Sequence, residues 1–126
     1  MTGCAPRLDI PVVRVAGDPF VAAKSDAAAG LHGTLCYYGI GESMSPWLPD
    51  DTAVVVRKVP FSKLRTGMVI VYCNLDNMRV AHQIMEIRGE GLVTKGFNNR
   101  IPDKTLVTER MYVGVVACAY RALTKK

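Results

Sequence analysis

Metal-site patterns are scarce in this chain. It has four cysteines, no Cys-x-x-Cys and only two histidines, a combination that argues against a zinc site and against a disulfide scaffold. Cys4, Cys36, Cys73 and Cys118 are widely spaced. The last three lie in strand-like segments, where a free cysteine acts as a small apolar residue. A reducing, cytoplasmic or membrane-peripheral setting is the expectation. Long apolar runs are also missing. The longest, Met68 to Cys73 and Val113 to Tyr120, fall far short of the roughly 20 residues a spanning helix needs. The first residues carry Pro6, Asp9 and Pro11 instead of the apolar core of a signal peptide. Acidic residues are in deficit: 16 basic against 11 acidic give a net charge of +5. The excess is scattered over Arg57, Lys58, Lys63, Arg65, Lys125 and Lys126. No basic helix with interleaved aromatics occurs, so nucleic-acid binding is not expected.

What the chain does have is β signal. With 126 residues and 49% hydrophobic content, it is expected to be one folded domain. Ile10 to Val15 reads as an edge strand, because Pro11 keeps it from the sheet centre. Residues 17 to 33 are rich in Gly, Ala and Asp, and Ser25 to Gly30 permits a very short helix or a mobile arm. From Thr34 the β-branched and aromatic segments follow closely. They are Thr34 to Ile40, Thr52 to Arg57, Met68 to Cys73, Met78 to Ile87, Leu92 to Lys95 and Met111 to Tyr120. Turn residues separate them, and Pro60 to Leu64 suggests one helical turn. The expected fold is mainly β: a coiled, barrel-like antiparallel sheet with one or two short helical turns. Residues 1–33 are expected to form an N-terminal arm with an edge strand, and 34–126 the β-rich domain.

Three polar positions interrupt this pattern. Ser43 sits in Gly41-Glu42-Ser43-Met44-Ser45-Pro46, where Gly41 and Pro46 favour a tight turn. A serine there can present its hydroxyl while backbone N–H groups converge beside it as an oxyanion hole. A plain turn serine is the simpler account of Gly-x-Ser alone. His82 lies inside the strand-like Val80-Ala81-His82-Gln83-Ile84, where on its own a satisfied core or surface histidine is the commoner case. Asp103 follows Pro102 in a loop. In chain order the three supply a nucleophile, a base and a carboxylate to orient the base.

Four stretches together carry a family resemblance: Gly41 to Asp51, Ala81 to Ile84, Thr94 to Asp103 and Tyr112 to Val116. Over residues 34 to 120 the sequence resembles the signal peptidase group of serine proteases, whose clan includes the self-cleaving LexA-like repressors. The resemblance is to the archaeal and endoplasmic-reticulum type, which uses histidine as base where other members use lysine. It implies Ser43 as nucleophile, His82 as base and Asp103 as its orienting carboxylate, with Lys95 a lesser alternative base. Gly41, Met44 and Pro46 would shape the oxyanion and substrate site. Imidazole, ionising at about pH 6.5 when unperturbed, can act as a base near neutrality without the desolvation a lysine requires.

The chain departs from the family pattern in three places. Gly41 stands where many members carry a hydroxyl donor, Gln83 follows the histidine where arginine is usual, and Phe97 replaces the first aspartate of the usual Gly-Asp-Asn-Asn. The implied substrate is an extended polypeptide with small residues before the cut. No metal or organic cofactor is implied, and membrane contact would come from an anchor or partner outside this stretch. Two other readings stand beside it: a non-catalytic peptide-binding or regulatory domain that keeps the fold, and a soluble LexA-like self-cleaving protein. For the latter, Ala27-Ala28-Ala29-Gly30 resembles a self-cleavage bond, thirteen residues before Ser43. An alanine-rich arm is the preferred account of that stretch.

Overall fold

The computed structural model describes residues 10–38, 52–96 and 99–123. They form seven strands: β1 (Val12–Val15), β2 (Leu35–Tyr38), β3 (Ala53–Arg57), β4 (Val69–Cys73), β5 (Arg79–Arg88), β6 (Gly91–Lys95) and β7 (Tyr112–Ala122). One helix, α1 (Pro19–Ala29), and a 3-10 turn at Phe61–Lys63 complete them. The fold is mainly β, as the sequence leads one to expect. One sheet runs β2-β3-β7-β4-β5-β6, with β1 added against β7, and it does not close into a barrel. It does curl. Arg79 on β5 lies over the Tyr37 ring of β2 at 5.7 Å, although the two strands are four places apart. In a flat sheet four steps of about 4.8 Å would separate them by about 19 Å. Among the described residues no helix is long and apolar enough to cross a membrane.

The sheet is assembled on β7. β3 pairs along one side of it, from Ala53↔Tyr120 to Arg57↔Val115. The other side is shared: β4 takes the first half, to Ile70↔Val115, and β1 takes the second, from Val12↔Ala119 to Val15↔Ala122. Between the two, Ala117 is an extra residue, because Val55 faces Cys118 and Val56 faces Val116. Such a bulge bends the strand locally. β1 runs parallel to β7 and enters after Pro11, whose carbonyl accepts from Ala119 N at 2.9 Å. The proline's missing N–H therefore costs no ladder bond inside β1.

Period-two alternation sorts the core. Val54 and Val56 join Val69, Val71, Ala81 and Val116 on one face. From the same strand, Ala53 and Val55 turn the other way and pack with Cys118 and Tyr120 beneath Ala23 of α1. A third cluster, Ile70, Tyr72, Ile84, Leu92 and Val107, lies under the segment that follows β6.

Residues 19–29 form a helix of eleven residues, longer than the short turn expected over 25–30. Asp18 caps it by accepting from Phe20 N at 2.9 Å, Pro19 occupies the first turn, and Gly30 ends it in the left-handed region at φ 68°. The stretch expected to be an arm thus carries β1, which pairs with β7, and α1, which packs on β3, β2 and β7. Its Ala29-Gly30 bond sits in the helix cap, not in an extended segment that a protease could take up. After the helix the chain crosses the β3 backbone at Gly33. A Cβ there would lie 2.2 Å from Val56 O.

Candidate active site

Strand register brings three polar side chains to one face. His82 on β5 is opposite Ile70 on β4, so Tyr72, two residues along, is its diagonal neighbour. On the other side Thr94 of β6 pairs with Ile84, two residues beyond His82. The fourth group comes from the connection after β6, which doubles back along that strand. Asp103 N donates to Thr94 O at 2.7 Å, and Leu92 and Val107 exchange two backbone hydrogen bonds of 2.8 and 2.9 Å. These bonds fix the Asp103 side chain over the polar trio.

One carboxylate oxygen, Asp103 Oδ2, then collects the donors. It lies 2.5 Å from His82 Nδ1 and accepts from Thr94 Oγ1 at 2.7 Å and from Tyr72 OH at 3.2 Å. The His82 and Asp103 side chains are only 11% and 21% exposed, so water screens their interaction only in part. Burial, with the Asp103 charge added, pushes the Tyr72 hydroxyl up to about 12. Tyr72 therefore stays protonated and donates. A cavity of about 420 Å³ opens beside the group, lined by Tyr72, Leu75, His82, Asp103, Lys104 and Met111 among others. A carboxylate at Nδ1 fixes the tautomer of an imidazole and leaves Nε2 to accept a proton, the arrangement of a general base.

The structure therefore brings His82 and Asp103 together and adds Tyr72 and Thr94, to which the sequence assigned no role. Alternation was the available signal: Tyr72, His82 and Thr94 sit in strands and face the same way only once the register is known. Lys95 points elsewhere. Its ammonium donates to Gly96 O at 3.3 Å and Asn99 O at 2.7 Å, tying down the turn after β6. Gly41, Ser43, Met44 and Pro46 lie outside the described residues, as does Phe97.

A second aspartate–histidine pair lies beside α1. Asp26 is buried in α1 and accepts from the His32 backbone N at 2.9 Å, while its second oxygen lies 2.6 Å from His32 Nδ1. Tyr120 of β7 donates to that second oxygen at 2.6 Å. Burial works against the Asp26 charge, but the hydrogen bonds from Tyr120 and His32 outweigh it and hold the carboxyl below its usual value. Each pair is thus a histidine on an aspartate that also accepts from a strand tyrosine. No family model and no curated protein matches the chain.

Proposed function

We propose that the chain is a serine endopeptidase of the signal peptidase type, with Ser43 as nucleophile, His82 as base and Asp103 as the group that orients the base. The observation that carries the reading is the 2.5 Å contact between His82 Nδ1 and Asp103 Oδ2 beside a cavity. Asp103, itself accepting from Thr94 and Tyr72, holds the imidazole in one tautomer and stabilises the imidazolium that forms during proton transfer. His82 takes the Ser43 proton as Oγ attacks the scissile carbonyl, then returns it to the leaving amine. Water, activated by the same base, hydrolyses the acyl-enzyme. The substrate is an extended polypeptide with small residues before the cut.

The Phe97 departure leaves the carboxylate role to Asp103, which is the residue in contact with His82.

The test is mass spectrometry of wild type, Ser43→Ala and His82→Ala incubated with a peptide library rich in alanine before the cut, with and without detergent and lipid. Cleavage after small residues by wild type alone is the expected result. Cleavage that survives in Ser43→Ala removes the assignment. No cleavage by any form favours the non-catalytic peptide-binding domain instead.

A further inference from the structure

Cys118 stands beside the second aspartate–histidine pair. One oxygen of Asp26, a ring nitrogen of His32 and Cys118 Sγ all lie within 4.8 Å of one another. We propose that Asp26, His32 and Cys118 form a binding site for a divalent transition-metal ion, of the zinc class.

The donor set fits that class. A thiolate, an imidazole and a carboxylate are the ligands zinc takes, at about 2.0 to 2.3 Å. At those lengths the ligand atoms of a tetrahedral site stand roughly 3.3 to 3.7 Å apart. The 2.6 Å contact between His32 and Asp26 must therefore open by about 1 Å, and the thiol must close by a similar amount. His32 can supply that movement. Its side chain is 40% exposed, whereas that of Asp26 is 1% exposed, and it lies on the turn after α1.

Charge also balances. A carboxylate, a thiolate and a neutral imidazole sum to two negative charges, which a divalent cation cancels. The thiol proton leaves to solvent as the metal–sulfur bond forms. Tyr120, which donates to Asp26 at 2.6 Å, provides the outer hydrogen bond that orients a ligating carboxylate. Of the three ligands His32 faces solvent, and it lines a cleft of about 720 Å³ together with Leu31, Arg57 and Arg65. The zinc patterns that the sequence lacks are those of ligands clustered along the chain. Here the three come from a helix, the turn after it and the strand on which the helix rests, at positions 26, 32 and 118.

The probe is Co²⁺, titrated into the full-length chain under reducing conditions, with Zn²⁺ as competitor. The expected result is saturation at one ion per chain, with a near-ultraviolet thiolate charge-transfer band and the visible bands of a four-coordinate site, both abolished by Zn²⁺. Cys118→Ser loses the charge-transfer band, while Cys4→Ser, Cys36→Ser and Cys73→Ser keep it. His32→Gln, whose amide can still donate to Asp26 and whose folding is checked by circular dichroism, weakens binding by more than the roughly 10- to 100-fold typical of losing an outer-shell partner. Absence of a saturable band in folded wild type overturns the proposal. So does a band that survives Cys118→Ser, or unchanged affinity in His32→Gln.

Discussion

Removing Asp103 tests whether the His82 imidazole is held by a carboxylate or merely lies near one. Asp103→Ala deletes the acceptor of three donors: His82 Nδ1, Thr94 Oγ1 and Tyr72 OH. Tyr72 retains weaker contacts, to Thr94 at 3.5 Å and to His82 at 3.4 Å, so only part of the network can reform. A hydrogen bond to a charged group contributes about 1.5 to 3 kcal/mol. A double-mutant cycle of Asp103→Ala with His82→Ala should accordingly give a coupling of about 2 kcal/mol. With a urea slope of about 1 to 3 kcal/mol per molar, the single Asp103→Ala change lowers the unfolding midpoint by about 1 M. The assay is equilibrium urea unfolding at pH 7 followed by fluorescence and circular dichroism, so the measurement needs no substrate. Partial burial of the pair predicts that most of the coupling survives in 1 M salt, where exposed pairs are screened. A coupling below about 0.5 kcal/mol would refute the reasoning, because independent sites add within that margin.

Two other changes probe the frame around the site. Gly33→Ala drives a methyl group to 2.2 Å from Val56 O, a backbone atom that no rotamer can move. Overpacking of this kind costs about 1 to 3 kcal/mol. Gly17→Ala, with nothing within 4 Å of its new carbon, serves as the control, and equal urea midpoints for the two variants would sink the account of the α1-to-β2 crossing. The second concerns alkaline pH. Folding raises the Tyr72 hydroxyl from 10.0 to about 12, so its contribution to stability is fully present below pH 10 and is lost as pH rises toward 12. Tyr72→Phe should flatten the fall in urea midpoint across that window. An unchanged slope would show that Tyr72 is not the protonated donor to Asp103.

Local chemistry made much of the sheet legible. β3, β4, β5 and β6 begin within a residue of the β-branched runs that announce them, and the 3-10 turn falls inside Pro60 to Leu64. α1 is longer than its sequence suggests because that sequence has little amphipathic contrast. Only Ala23 and Asp26 of its residues are buried, and one of them is charged. The usable signal was Asp18-Pro19 before an alanine-rich stretch and Gly30 after it, a cap at each end instead of an apolar stripe. The parallel placement of β1 had no local cause, since it depends on which half of β7 is left open by β4. At the candidate site, alternation marked His82 as a polar intruder in a strand, but its partners depended on register and on a doubled-back loop. Asp26 and His32 were less visible still. A carboxylate in an alanine-rich helix looks solvent-facing until Tyr120, 94 residues away, is found donating to it.

The position of β7 has a kinetic consequence. It is the last of the described elements in the chain, yet β1, β3 and β4 all take hydrogen bonds from it. The β4–β5–β6 meander can form from neighbouring segments alone, but β1 and β3 have no route into that sheet until β7 arrives. Closing those pairings costs the entropy of long loops before any contact rewards it, which places the fold among the slow, high-contact-order topologies. While β7 is still being synthesised, the apolar β1 and β3 have unpaired edges, the state in which β proteins depend on chaperones or join their neighbours.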